Sequence, residues 1–291
     1  MTAYDRHTCL AITLLLCGFF WTGCGTCGHF PVGPQHVVMP YEYGGEWDAE
    51  NLKEPSGAVY DESRESLFVV GDEGDICEIK TDGEMVRIKR IRPGDFEGIT
   101  RDPASGLLYV AEEGEEKVLE IDPENFEITR EFVLPRSFQG EVIFQEGGNG
   151  IEGITFVPQP DHPEGGTFFV GNQSFSLEPG DEKSLLAEAV LPLKTARGKK
   201  GEARVLRVFP PGVIDISALH YCPESDTLFF ASDASNTFYQ IDRNWNYLRA
   251  KAFPGANQEG IALDGKGTMY IAQDSGGILV IGPHWLKKKE E

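Results

Sequence analysis

Asp95-Phe96-Glu97-Gly98-Ile99-Thr100, Gly150-Ile151-Glu152-Gly153-Ile154-Thr155 and Gln258-Glu259-Gly260-Ile261-Ala262 repeat one phrase, a glutamate followed by glycine and isoleucine. Ser56-Gly57-Ala58-Val59 and Ser217-Ala218-Leu219 fit the same place with the glutamate replaced. A short turn follows each, then a strongly apolar run: Leu67 to Asp72, Leu108 to Glu112, Phe168 to Asn172, Leu228 to Asp233 and Met269 to Gln273. A unit that recurs in this way specifies a repeat architecture, in which a residue of one repeat has a counterpart in every other. Carboxylates at one repeat position would then gather around one axis.

The interval from Gly57 to Gly98, like that from Ala218 to Gly260, is about forty residues, the length of a four-stranded propeller blade. The second repeat shows the pattern. Glu97 to Arg101 reads as its first strand, Asp102-Pro103-Ala104-Ser105-Gly106 as a turn, and Leu107 to Ala111 as a second strand, apolar on both faces. Lys117 to Asp122 alternates as a third strand, and Phe126 to Leu134 reads as the fourth. The two middle intervals are longer. Their excess falls in a Gly- and Gln-rich stretch, 135 to 150, and in an insertion from 173 to 204 that carries the basic run Lys194 to Lys200. That run reads as a solvated hairpin turn, with an anion or partner site as the alternative.

The fifth repeat lacks its fourth strand, and Val37 to Tyr43 is a strand without a repeat of its own. The prediction is an all-β, five-bladed β-propeller closed by this N-terminal strand, which completes the last blade and protects its edge. Six blades remain open if the insertion over 173 to 212 hides a further sheet. The domain reading is a signal peptide over 1–23, a linker over 24–35, the propeller over 36–283 and a charged tail over 284–291.

The 291 residues carry 47 acidic against 26 basic side chains, a net charge of −21, which speaks against nucleic-acid binding and against adhesion to an anionic membrane surface, leaving a lipid anchor as the expected membrane contact. An apolar run from Cys9 to Trp21 follows Arg6 and His7 and is shorter than a membrane span, as in a secretory signal. Thr22-Gly23-Cys24 resembles a bacterial lipoprotein cleavage box, with Cys24 as the lipidated residue. The expected location is therefore the cell envelope, lipid-anchored or periplasmic. Cys77 and Cys222 are expected to be separately buried thiols, since they sit at non-equivalent repeat positions.

In a propeller the first strand of each blade lines the central channel, so Glu97, Glu152 and Glu259 are predicted to converge there. The ends of the second strands supply a second ring of oxygen-bearing side chains: Asp72, Glu112, Asn172, Asp233 and Gln273, with Glu73, Glu113, Gln173 and Asp274 beside them. Converging carboxylates must either hold protons or hold a cation. Oxygen donors without channel-placed His or Cys favour calcium. The metal set read from the sequence is Glu97, Glu152, Glu259, Asp72, Glu112, Asn172 and Asp233. The alternative is that these side chains cap the channel mouth, facing water or bonding the next blade's amides. No catalytic residue is assigned. His220, the one histidine in the repeat core, reads as a hydrogen-bonded structural residue rather than a base.

The ordered set of motifs, from Ser56-Gly57-Ala58-Val59 through Ile216-Ser217-Ala218-Leu219 to Gln258-Glu259-Gly260-Ile261-Ala262, resembles the bacterial SdiA-regulated (YjiK-like) family over about residues 50 to 282. The resemblance implies a five-bladed propeller, distantly similar to NHL-repeat propellers, with a calcium site that Glu97, Glu152 and Glu259 match by repeat position. It implies no established activity. The expected function is a monomeric binding module for a small ligand or an envelope protein. The alternative is a metal-dependent hydrolase of phosphoesters or lactones.

Overall fold

The computed structural model describes residues 43–47, 52–146, 149–174, 184–252 and 257–282. The expected signal segment, Cys24, the linker, Val37 to Glu42 and the charged tail lie outside these residues.

The described residues form strands and turns, with no helix. Strand β1 (Tyr43–Trp47) precedes blade 1, which comprises β2 (Pro55–Asp61), β3 (Ser66–Gly71), β4 (Asp75–Lys80) and β5 (Met85–Arg90). Blade 2 comprises β6 (Asp95–Arg101), β7 (Leu108–Glu113), β8 (Lys117–Asp122) and β9 (Glu127–Val133). A two-stranded hairpin follows, β10 (Ser137–Phe138) with β11 (Glu141–Val142). Blade 3 is built from β12 (Ile151–Pro158), β13 (Gly166–Asn172) and β14 (Leu186–Val190). After β15 (Lys200–Glu202), its fourth strand is β16 (Arg204–Phe209). Blade 4 is β17 (Ile216–Cys222), β18 (Thr227–Ser232), β19 (Thr237–Asp242) and β20 (Tyr247–Ala252). Blade 5 is β21 (Gln258–Leu263), β22 (Met269–Gln273) and β23 (Ile278–Ile281), with β1 as its outer strand.

The ring is closed by an N-terminal strand, β1, whose described residues begin at Tyr43; Val37 to Glu42 of the expected strand lie outside the described residues. Strand β1 pairs antiparallel with β23, Tyr43 opposite Ile281 and Trp47 opposite Ile278. Trp47 packs against Tyr270 of the same blade in a tilted arrangement, ring centroids 5.4 Å apart. The second insertion does not hide a sixth blade among the described residues. Two of its strands complete blade 3. The third, β15, runs parallel to β9 and adds a fifth strand to blade 2, so the basic run is part of a strap between two blades.

The second strand of each blade is buried on both faces, and its alternating side chains enter two different interfaces. Phe168 packs with Tyr109 and Phe156 between blades 2 and 3. Its neighbour Phe169 joins Phe230 and Tyr239 between blades 3 and 4. Phe229 then points the other way, to Phe238 and Ile271 between blades 4 and 5. Tyr270 and Val69 fill the interface of blades 5 and 1, and Phe68, Phe96 and Leu108 that of blades 1 and 2. Burying a large apolar side chain is worth about 2–3 kcal/mol, so these five interfaces supply most of what holds the ring together. Cys77 and Cys222 are free and buried in separate interfaces, as expected.

A second repeat column runs along the outer strands. Glu78, Glu120 and Glu188 of the third strands each accept from an arginine of the fourth: Arg87 at 2.8 Å, Arg130 at 2.8 Å and Arg207 at 2.5 Å. In blade 4 the same place holds Gln240 opposite Arg249.

Candidate metal centre at the propeller mouth

Each first strand carries a register shift at the same point. In blades 1, 4 and 5 Ser56, Ser217 and Glu259 are the extra residues, between Pro55/Gly57, Ile216/Ala218 and Gln258/Gly260. In blades 2 and 3 the shift spans Glu97-Gly98 and Glu152-Gly153. A bulge re-aims the side chain of the unpaired residue. The repeated phrase is therefore a bulge sequence, and its first position is the one turned out of the ladder. The glycine beside it permits neighbouring blades to touch. A Cβ on Gly57 would lie 2.4 Å from the Glu97 carbonyl oxygen, and one on Gly98 would lie 2.6 Å from that of Glu152.

The bulges bring Glu97 and Glu152 together with Glu113, from the end of β7. Oxygens of these three carboxylates lie within 4.8 Å of one another. Asp72, Asp95 and Glu97 form a second such triad, and Glu54, Asp72 and Asp274 a third, so the sites share members along the mouth from blade 3 round to blade 5. Glu152 is 6 % exposed. Among the described residues, no Lys, Arg or His pairs with any member of the Glu97–Glu113–Glu152 triad.

The electrostatics follow from that crowding. Burial, then the neighbouring carboxylates, pushes Glu152 and Glu97 well above the ordinary range, and the two share a side-chain hydrogen bond. Glu113 is pushed up to about 7, chiefly by burial, although it accepts a hydrogen bond from the Gly150 amide at 2.6 Å. Asp72 is raised to about 6 by burial, against the opposing effect of a hydrogen bond from the Ser56 hydroxyl. On the far side of the ring, burial and then Asp215, Asp233 and Asp274 raise Glu259 to about 8. Asp215 itself is raised to about 6.

The structure separates the sequence-predicted second ring into two positions. Gly71, Glu112, Asn172, Ser232 and Gln273 pair with the residue just before each bulge. Glu112, Asn172 and Gln273 have partners away from the triads. Glu112 accepts from Arg92 Nε at 2.9 Å, the Asn172 side-chain oxygen accepts the Leu185 amide at 2.5 Å, and Gln273 donates to Glu46 at 3.0 Å. The following position holds Asp72, Glu113, Gln173, Asp233 and Asp274. Asp72, Glu113 and Asp274 are the members that enter the triads. Asp233 accepts the Gln258 amide at 2.9 Å and lies near Glu259 instead. Glu259 joins neither Glu97 nor Glu152 in a triad. Thus Glu97, Glu152 and Asp72 fall within the clustered carboxylates, Glu112, Asp233 and Glu259 fall outside them, and the Asn172 side-chain oxygen is taken by the Leu185 amide.

Asp95 and Glu54 were not singled out from the sequence. Both precede the first motif position by two residues, as do Asp215 and Asn257, so a third oxygen-bearing column was present in the repeat alignment. Below the mouth, the axial cavity is lined by Gly57, Gly98, Gly153, Ala218 and Gly260 with Glu259 beside them, and its volume is about 10 Å³, room for little more than one water. Small-molecule sites usually run from about 300 Å³ upward. The first strands are stitched by Thr100, which accepts the Phe156 amide at 2.9 Å, and by Thr155, which accepts the Tyr221 amide at 2.9 Å. His220 holds the corresponding place in blade 4. Burial lowers its imidazole to about 4, so it is neutral at physiological pH, and its ring has no hydrogen-bond partner among the described residues.

A family model described as SdiA-regulated matches residues 48–275, most of the chain: blades 1 to 4 and the two inner strands of blade 5. The chain belongs to the SdiA-regulated family. A search of curated proteins finds no match. Among solved structures, this SdiA-regulated propeller is similar to the glutaminyl cyclase of Myxococcus xanthus. The identity is 13 %, with 83 % of this chain and 95 % of that chain covered, at a TM-score of 0.56. A nidogen/laminin complex is similar at 15 % identity, with 75 % and 72 % covered and a TM-score of 0.46. At such identities the first likeness shows a shared fold and nothing about activity.

Proposed function

We propose that this chain is an exported, calcium-binding β-propeller of the bacterial cell envelope, acting as a monomeric binding module that presents its acidic mouth to a small ligand or an envelope protein. The observation that carries the metal reading is Glu152. It is buried, its polar neighbours are the carboxylates of Glu97 and Glu113, and no cationic side chain among the described residues pairs with it. A buried carboxylate in such company must be protonated or bound to a cation. All-oxygen donors in an irregular arrangement suit calcium, which takes six to eight oxygens and accepts water among them. Glu97, Glu113 and Glu152 would hold the ion, with Asp95 and Asp72 next in reach. Bound there, calcium would neutralise the mouth and lock blades 2 and 3 together.

Export and anchoring rest on the apolar run from Cys9 to Trp21 and on Cys24. The hydrolase reading needs a base and room for a substrate. His220 is a weak base at about 4, and the axial cavity is small. The binding module is therefore preferred. Thermal unfolding with calcium and with chelator tests the metal: calcium should raise the melting temperature of the wild type and leave Glu97→Gln/Glu152→Gln unmoved. An equal shift in both proteins would refute the site.

A further inference from the structure

The chain is strongly acidic, and its cations are largely committed within the fold. Arg87, Arg130 and Arg207 each hold a carboxylate of the neighbouring strand, and Arg92, in the loop between blades 1 and 2, holds Glu112. Among the described residues, the strap between β14 and β16 holds the largest group that is not, beside the pair Arg249 and Lys251 on β20 and the single Lys266. Lys194, Arg197, Lys199, Lys200 and Arg204 are all exposed. None of these side chains makes an ion pair or hydrogen bond among the described residues. The strap is also held in place rather than loose. Glu164 accepts the amides of Lys194 and Thr195 and the Thr195 hydroxyl, and Arg130 donates to the Leu193 carbonyl at 2.7 Å. At its far end β15 is hydrogen-bonded along β9. The fold thus fixes a short row of unneutralised cations on the outer flank of blades 2 and 3, away from the acidic mouth at the axis.

We propose that this strap is a docking surface for the anionic headgroups of a lipid bilayer, and that it orients the tethered propeller with its mouth clear of the membrane. The proposal rests on the envelope reading above. Roughly twenty residues separate Cys24 from β1, a length that reaches at most about 70 Å. A tether of that length would hold the propeller near the surface without choosing which side faces it. An anionic surface makes that choice by charge. It repels the acidic bulk of the molecule and attracts the flank where five unpaired cations stand together, each lysine or arginine near the surface contributing about fivefold in affinity.

The test mixes the full chain with phosphatidylcholine vesicles and with vesicles doped with phosphatidylglycerol, at low and high salt, and measures the bound fraction by sedimentation. The wild type should bind the anionic vesicles at least about tenfold more tightly at low salt, and high salt should remove the difference. Lys194→Gln/Arg197→Gln/Lys199→Gln/Lys200→Gln should lose the preference while keeping the wild-type melting temperature. Lys80→Gln/Lys117→Gln, which removes two cations paired to glutamates, should keep it. Equal binding to both vesicle types, or an unchanged preference in the strap variant, overturns the proposal. So does retention on a soluble polyanion such as heparin without vesicle preference. The N-terminal segment is common to both arms, so failure of Cys24 to be lipidated changes them equally and is read separately, by lipid labelling.

Discussion

Replacing Glu152 by glutamine should make the calcium-free protein more stable, not less, and the gain should grow with pH. The side chain is 6 % exposed, and its oxygens lie within 4.8 Å of those of Glu97 and Glu113. Two unit charges at that distance repel by about 3.5 kcal/mol at an effective dielectric of about 20. Protonation caps the cost. Holding a carboxyl of ordinary pKa 4.5 neutral costs about 1.4 kcal/mol for each pH unit above that value, so the penalty has a ceiling of about 5 kcal/mol at pH 8 and stays under about 1 kcal/mol at pH 5. The sign follows from linkage. The folded pKa is raised, so the native state binds the proton more tightly than the unfolded chain. The associated stability is full below about 4.5 and is lost as pH rises towards the folded value. Glutamine never carries the charge and escapes that loss. For a domain of this size each kcal/mol moves the melting temperature by about 2–4 °C. Glu152→Gln in chelator should therefore melt on the order of 10 °C above wild type at pH 8, and within a few degrees of it at pH 5. With calcium at pH 8 the order should reverse, because the wild type gains an ion that the variant holds poorly. Scanning calorimetry at both pH values, with chelator and with calcium, reads all four conditions. A variant that is less stable than wild type in chelator at pH 8, or that keeps the full calcium shift, would refute the reasoning.

Three further outcomes follow from the same geometry. Glu113→Gln should abolish most of the calcium-induced rise in melting temperature, whereas Glu112→Gln should leave that rise intact, since Glu112 is engaged by Arg92; differential scanning fluorimetry separates the two adjacent residues. Arg92→Met should cost about 3–5 kcal/mol by stranding a buried Glu112, measured by urea unfolding, again without altering the calcium response. Gly98→Ala should destabilise by at least about 1–3 kcal/mol, because its methyl would meet the Glu152 carbonyl oxygen at 2.6 Å and the Ile154 amide nitrogen at 2.7 Å, backbone atoms that cannot rotate aside.

The contrast between Glu112 and Glu113 marks where sequence reasoning stopped. The repeat, the blade count and the place of Glu97 and Glu152 were legible because a bulge needs a recurring phrase, and that phrase survives in three blades with its glutamate intact. The second ring was not legible to single-residue accuracy. Reading each apolar run to its own last polar residue set Asp72 level with Glu112, although the ladder sets Asp72 level with Glu113. Side chains alternate along a strand, so a slip of one residue exchanges the face that meets the mouth for the face that meets the next blade. Aligning the runs on the residue opposite each motif glycine or isoleucine, rather than on their ends, places Asp72, Glu113, Gln173, Asp233 and Asp274 in one column. The same alignment puts Glu54, Asp95 and Asp215 in another, two residues before the bulge. Neither insertion could be placed this way, because a strap such as β15 has no counterpart in the other blades. Its parallel pairing with β9 is a contact between blades that no internal repeat encodes. The site is thus readable where all five blades share a constraint. It becomes unreadable where one blade departs from the rest, and the basic strap is the largest such departure among the described residues.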